Sequence, residues 1–217
     1  MERKKMNEIW LRILAVVIAY LIGNISPSIL LAKAKGIDIR KEGSGNAGTT
    51  NALRVMGKKA GAITLIVDVL KGTAAVLLGL LLAGHVGAMW CVVAVFCGHV
   101  WPVFFGFRGG KGVATAFGAL MGLNPLMGLV TLGVVVIGVL VTRRMSVGSI
   151  LGAACFPVIS YFMQPEFVWY GVVLAVIILV KHRANIIRLF KGQEPVMSIF
   201  EKKKDKKDEK EAAKEVN

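Results

Sequence analysis

The sequence predicts an all-α integral membrane protein of about seven transmembrane helices, with its N-terminus outside the cell and its C-terminus inside. Two patterns carry that expectation. Residues 13–32, 72–107, 112–142 and 145–165 contain no Asp, Glu, Lys or Arg. A helix rises about 1.5 Å per residue, so about 20 apolar residues cross a hydrocarbon core of about 30 Å. The chain is also 55% apolar, with a mean hydropathy of +0.66. A soluble domain of 217 residues would not bunch its charges in this way.

The segments fall at approximately 9–32, 60–83, 86–105, 112–123, 126–142, 146–163 and 166–181. The first is too long for the apolar core of a signal peptide and has no small-x-small cleavage site after it. Gly84-His85 separates the second from the third. The fourth is short, and the Asn124-Pro125 pair behind it favours a turn. A re-entrant hairpin of the fourth and fifth segments, leaving five spans, is therefore the alternative. Cys91, Cys97 and Cys155 sit in apolar stretches without CxxC spacing and read as packing residues.

Basic residues orient the bundle. The first loop carries Lys33, Lys35, Arg40, Lys41, Arg54, Lys58 and Lys59, the third Arg108 and Lys111, and the fifth Arg143 and Arg144. The loops at Gly84-His85, Asn124-Pro125 and Gln164-Pro165-Glu166 carry none. The odd loops are thus expected in the cytoplasm, against the single contrary vote of Arg3, Lys4, Lys5 and Arg12. Residues 1–200 form one membrane domain. Residues 201–217, EKKKDKKDEKEAAKEVN, form a charged cytoplasmic tail, disordered or a solvated helix.

Three polar islands fall on the expected cytoplasmic side. The first is GSGNAGTTNALRVMGKKAG, residues 43–61. Gly43, Gly45 and Gly48 permit close backbone approach, and Thr50 or Asn51 can cap the helix that follows. Ser44, Asn46 and Asn51 then surround amide donors with the fixed charge of Arg54, which suits a phosphate. A flexible linker with an ordinary cap needs neither two asparagines nor an arginine one turn on.

The second island is GFRGGKGVAT, residues 106–115. Gly112 follows Lys111 where a nucleotide-binding P-loop requires Ser or Thr, so an ATPase is not expected. Arg108, Gly109, Gly110 and Gly112 leave a nest of backbone amides at a helix start, with Lys111 as a movable charge. Taken alone, the stretch reads equally well as a basic turn between helices.

The third is KHRANIIRLFKGQEP, residues 181–195. His182 and Asn185 share a helical face, and Glu194 follows the Gly192 turn, where it can pair with an arginine. A basic helix snorkelling into headgroups explains the lysines and arginines but not these three residues. Inside the membrane, Asp68 and Lys71 stand three apart and are expected to pair. His99, ahead of Trp101-Pro102, either serves the site or bonds a carbonyl that Pro102 frees, and the second is expected.

These blocks resemble the bacterial acyl-phosphate-dependent glycerol-3-phosphate acyltransferase family, the PlsY type. The resemblance rests on Ser44-Gly45-Asn46-Ala47-Gly48 with Asn51 and Arg54, on Gly109-Gly110-Lys111-Gly112, and on His182-Arg183-Ala184-Asn185-Ile186 with Gly192-Gln193-Glu194. Thr49 departs from the usual alanine. The resemblance implies transfer of an acyl group from acyl phosphate to sn-glycerol 3-phosphate, giving lysophosphatidate and phosphate at the bacterial cell membrane. It implies Ser44, Arg54, Lys111, His182 and Asn185 as catalytic residues. It implies Gly45, Asn46, Gly48, Thr50, Asn51, Arg108, Gly109, Gly110, Gly112 and Glu194 around the substrate phosphates. Membrane lipid and an acyl-phosphate-forming enzyme are the implied partners, and no metal, cofactor or nucleic acid is expected. Either His182 or a substrate phosphate accepts the hydroxyl proton.

A transporter for a phosphate-bearing solute is the rival reading. Transport calls for polar groups through to the outer face and for internal repeats. The outer loops are bare, and no repeat is evident. Acyltransferases using a His-x4-Asp pair are set aside, since no histidine has Asp five positions on.

Overall fold

A computed structural model describes residues 2–197, and these form helices joined by short loops, with no strand among the described residues. The tail, 201–217, lies outside the described residues. Four helical stretches are long and apolar enough to cross a membrane: Met6–Ala34, Lys58–Phe105, Pro125–Thr142 and Met145–Met163.

The first span, expected over 9–32, lies within Met6–Ala34, and its helix is interrupted. Helix α1 (Glu2–Gly23) stops before α2 (Pro27–Ala34). Pro27 has no N–H for an intrahelical bond, and its ring disfavours helical backbone at Ser26, which is extended (φ −115°, ψ 90°). The Asn24 amide donates to Tyr20 O at 2.7 Å and closes the last turn of α1.

After a loop and α3 (Thr49–Met56), α4 (Lys58–Val100) runs for 43 residues. That is about twice the length of one crossing. It reverses at Gly84 (φ 65°, ψ −167°), where the sequence separates two segments. Its halves lie antiparallel: Lys71 Nζ is 2.9 Å from His99 Nδ1, and Gly79 packs against Cys91. The helix ends at Val100 rather than near 105, because Pro102 interrupts it and Val103–Phe105 make one tight 3-10 turn.

Helices α5 (Val113–Leu123) and α6 (Pro125–Thr142) meet at Asn124. Its side chain accepts from Met127 N at 3.1 Å, capping α6, with Pro125 in the first turn. Helices α7 (Met145–Met163), α8 (Val168–Lys181) and α9 (Arg183–Phe190) complete the fold.

Small residues let the helices approach closely, as membrane helices do when apolar burial does not drive association. A methyl at Gly98 would collide with Tyr20 O of α1, one at Gly118 with Val69 O of α4, and one at Gly148 with Val135 O of α6. Large apolar side chains point outward instead: Leu81, Val141, Phe162 and Trp169 are 76–81% exposed. That inversion of the soluble pattern is the surface a lipid solvent requires.

The bundle has two unlike ends. The turns without Lys or Arg meet at one: the Gln164 amide donates to His85 Nε2 at 2.8 Å, and Asn124 Nδ2 donates to Gln164 Oε1 at 3.4 Å. The basic loops and all three polar islands gather at the other.

Candidate active site

The first island is built around Asn51. Its carbonyl oxygen accepts from Ser44 N at 2.9 Å, and its amide donates to Ile39 O at 3.1 Å and Glu42 O at 2.9 Å. Both amide hydrogens are thereby occupied, so Asn51 braces the loop from below rather than facing a ligand. Gly43 and Gly45 hold positive φ (58° and 69°), which glycine adopts without steric cost. The expected cap on α3 is corrected: Gly48 takes the cap position, with no side-chain bond from Thr50 or Asn51. Ser44 and Arg54 are exposed at the loop rim, Asn46 and Thr50 half-buried beside them. Arg40 ties this island to the next, donating to Asp38 Oδ1 at 2.9 Å and to Phe105 O at 3.0 Å.

In the second island the glycine pair does not form the expected nest. Gly109 N donates to Val100 O at 3.3 Å and Gly110 N to His99 O at 3.2 Å, so neither amide faces outward. The glycines serve proximity instead. A methyl at Gly109 would collide with His99 O, one at Gly110 with the His99 ring, and one at Gly112 with the Phe96 ring. Gly112 (φ 83°) starts α5, whose first-turn amides have no intrahelical acceptor and point at the site end. Arg108 is exposed, and no hydrogen bond or ion pair joins it to the cluster among the described residues.

Lys111 reaches the third island. Its Nζ donates to Asn185 Oδ1, and Asn185 Nδ2 donates to Glu194 Oε1 at 2.6 Å. Glu194 Oε2 accepts from Arg188 Nε at 2.7 Å, the arginine partner the sequence anticipates. Arg144 Nε donates to Glu194 O at 3.0 Å, and Met197 N to Arg143 O at 2.9 Å, pinning the segment after Gly192 to the α6–α7 turn. Burial pushes the Glu194 carboxyl up, but hydrogen bonds from Asn185 and Arg188 and the Arg188 charge outweigh it and hold the group below its ordinary value.

Burial brings the Lys111 amine down to about 8; Glu194 opposes the shift, while Arg188 and Arg54 add to it. His182, at the α8–α9 joint, is buried, and its Nδ1 lies 2.8 Å from Ile178 O. A carbonyl only accepts, so Nδ1 carries the proton and Nε2 keeps its lone pair. Burial first, then the Lys111 charge, lowers the imidazole to about 4, and it is neutral at pH 7.

Beneath the islands Asp68 and Lys71 pair at 2.7 Å, as their spacing implies. His99 joins them, its Nδ1 3.3 Å from Asp68 Oδ1, which corrects the expectation that it bonds a carbonyl freed by Pro102. Sequence spacing did not reveal this third member, nor the parts taken by Arg144 and Arg188.

Fold and site together define an integral membrane protein with a cluster of Lys111, Asn185, Glu194 and Arg188 and a neutral acceptor imidazole at one end of a helical bundle. Residues 13–192 match the family model for glycerol-3-phosphate acyltransferase. The glycerol-3-phosphate acyltransferase of Thermoanaerobacter pseudethanolicus is 46% identical over 185 residues, covering 84% of this chain and 93% of the relative. That of Clostridioides difficile is 45% identical over 202 residues, covering 86% and 96%. The crystal structure of PlsY (YgiH), an integral membrane glycerol 3-phosphate acyltransferase, in its glycerol 3-phosphate form superposes with a TM-score of 0.82 at 34% identity, covering 88% of this chain and 99% of that one. Its lysophosphatidic acid form gives 0.78 at 34% identity, covering 85% and 94%. The chain belongs to the glycerol-3-phosphate acyltransferase family of the PlsY type, which sets the transporter reading aside.

Proposed function

We propose that the chain transfers an acyl group from acyl phosphate to the 1-hydroxyl of sn-glycerol 3-phosphate, releasing lysophosphatidate and phosphate. The observation that carries this is the junction of Lys111, Asn185 and Glu194 beside a neutral His182 whose Nε2 is free to accept. Lys111, Arg54, Ser44 and the start of α5 supply donors for a substrate phosphate; Gly45, Asn46, Gly48 and Thr50 shape the rim around it. The hydroxyl oxygen bonds to the acyl carbon, the acyl–oxygen bond to phosphate breaks, and phosphate leaves with that electron pair. Acyl phosphate is already activated, so no covalent enzyme intermediate is needed; catalysis consists of alignment and stabilisation of developing negative charge.

The hydroxyl proton goes to a substrate phosphate oxygen. In the free site His182 sits at about 4, below the second ionisation of a phosphate monoester at about 6. An imidazolium would also form against the Lys111 charge. His182 Nε2, able only to accept, therefore orients the substrate through its other hydroxyl, which leaves the single hydrogen of the attacking hydroxyl for the phosphate oxygen.

The site faces the cytoplasm of a bacterial cell whose inner membrane the chain crosses seven times, N-terminus out and C-terminus in. The gathering of basic loops at the site end supports this orientation, and the reversal at Gly84 supports two crossings within α4. Membrane lipid surrounds the bundle, and an acyl-phosphate-forming enzyme supplies the donor. The test is one assay on purified protein, offering labelled glycerol 3-phosphate with acyl phosphate, acyl-CoA or acyl carrier protein as donor. Lysophosphatidate is expected from acyl phosphate alone, and none from that donor would sink the proposal.

A further inference from the structure

Asp68, Lys71 and His99 are 2%, 4% and 5% exposed, a cluster of three ionisable groups within the helical bundle. Such groups are costly to bury even when paired, which asks what the arrangement accomplishes. Each contact leads to a different segment. Lys71 Nζ donates to Ile25 O at 2.6 Å, in the break between α1 and α2. The same ammonium lies 2.9 Å from His99 Nδ1 and 2.7 Å from Asp68 Oδ1. The far edge of the His99 ring carries Gly110, where an added Cβ would fall 2.9 Å from Cε1 and 2.8 Å from Ala47 O. His99 O meanwhile accepts from Gly110 N at 3.2 Å. One residue therefore seats the glycine pair by both ring and carbonyl, with the first island pressing from the other side. Lys111 is the next residue along.

We propose that Asp68, Lys71 and His99 form a positioning triad: the two charged groups fix the imidazole, and the imidazole sets the height of Gly110 and with it the reach of Lys111 toward the phosphate of glycerol 3-phosphate. The inference rests on the proposed role of Lys111. None of the three residues touches substrate. The ring works as a shaped floor, and a change of its tilt by a fraction of an ångström moves the Lys111 backbone by a similar amount. Misplacement on that scale is enough to weaken an aligned contact.

The test is steady-state kinetics on the purified full chain, each variant first shown to be folded and monodisperse. Lys111→Ala is the control arm and is expected to raise the KM for glycerol 3-phosphate. His99→Phe keeps an aromatic ring but offers Asp68 and Lys71 nothing to bond. It is expected to raise that KM about tenfold while changing kcat by less than about threefold. His99→Asn, which keeps an amide near the place of Nδ1, is expected to restore most of the loss. A triad that only stabilises the fold would lower yield and leave KM unmoved, and that result overturns the proposal.

If His99→Phe does not fold, Gly110→Ala answers the same question from the other side. Its methyl meets the ring, so it is expected to raise KM more with His99 present than in a His99→Ala background. Additive effects overturn the proposal. An unchanged KM in Lys111→Ala fells the site reading itself, whereas a raised KM there with an unmoved His99→Phe fells the triad alone.

Discussion

The Asn185 amide nitrogen donates to Glu194 Oε1 at 2.6 Å while its carbonyl oxygen accepts from Lys111 Nζ. Only one orientation of the amide satisfies both neighbours, since the reverse would set NH2 against an ammonium and a carbonyl against a carboxylate. Glu194 thus determines which face Asn185 shows to Lys111. Glu194→Gln replaces one acceptor oxygen with a donor and leaves either Asn185 or Arg188 unmatched. The expected loss is about 10–100-fold in kcat/KM, roughly 1.4–2.8 kcal/mol of transition-state stabilisation. Steady-state assays on folded variant protein check it, and activity within twofold of wild type would remove Glu194 from the site.

Asn51 predicts a stability effect rather than a contact with substrate. It holds Ser44 N, Ile39 O and Glu42 O at once, so Asn51→Ala strands one donor and two acceptors, of which Ile39 O is buried. Leaving such groups unpaired costs about 3 kcal/mol in total. The apparent Tm should fall by about 6–12 °C for a chain of this size. Because the loop carrying Ser44 loosens, KM should rise as well. A thermal melt with no shift would show that the loop does not depend on this brace.

His182 gives a prediction about the proton. Gln at 182 keeps an acceptor near the place of Nε2, whereas Ala does not. His182→Gln should retain about a tenth of kcat and His182→Ala about a thousandth. Equal, near-complete loss in both would assign the proton to the imidazole itself. The same group contributes to stability with a definite sign. Its folded value of about 4 lies below the ordinary 6.5. Its contribution is therefore fully present above pH 6.5 and is lost as pH falls through 4, because the unfolded chain binds the proton first. The apparent Tm should drop across that window in the wild type and less in His182→Gln.

The helices were legible because the membrane leaves a long-range imprint on sequence. Charge-free runs divided at Gly84 and Pro125 and ended at Arg143-Arg144 mark α4, α6 and their turns within a few residues. The break at Asn24–Ser26 escapes a count of charges because none falls there; Gly23-Asn24 and Ser26-Pro27 are its local marks. Site membership was legible at Lys111, Asn185 and Glu194, polar residues that a linker or snorkelling helix does not need. His99 was not, since its partner Lys71 stands 28 residues away and only the reversal at Gly84 brings them together. Gly109 and Gly110 were legible as glycines but not as to cause. An amide nest and a tight seat on His99 call for the same residue, and only the backbone geometry distinguishes them.

Lys111 yields a prediction in which activity and stability move in opposite directions with pH. Its amine sits at about 8, against an ordinary 10.5, with burial the main cause. As pH rises through 8 the amine loses its charge, and a phosphate anion loses an attractive partner. The KM for glycerol 3-phosphate should therefore climb above pH 8, while Lys111→Arg, charged throughout that range, should keep its KM flat even if its kcat is lower. For stability the sign reverses. Between 8 and 10.5 the unfolded chain binds more protons at this position than the folded one, so the contribution of Lys111 to stability increases with pH across the window. Burying the charge is most costly below pH 8, where both states are protonated. A KM profile measured from pH 6.5 to 9.5 beside thermal melts of wild type and Lys111→Arg separates the two effects. A KM that is level through pH 9.5 in the wild type would mean that Lys111 does not hold the substrate phosphate, and the donors there would have to be Arg54, Ser44 and the first turn of α5.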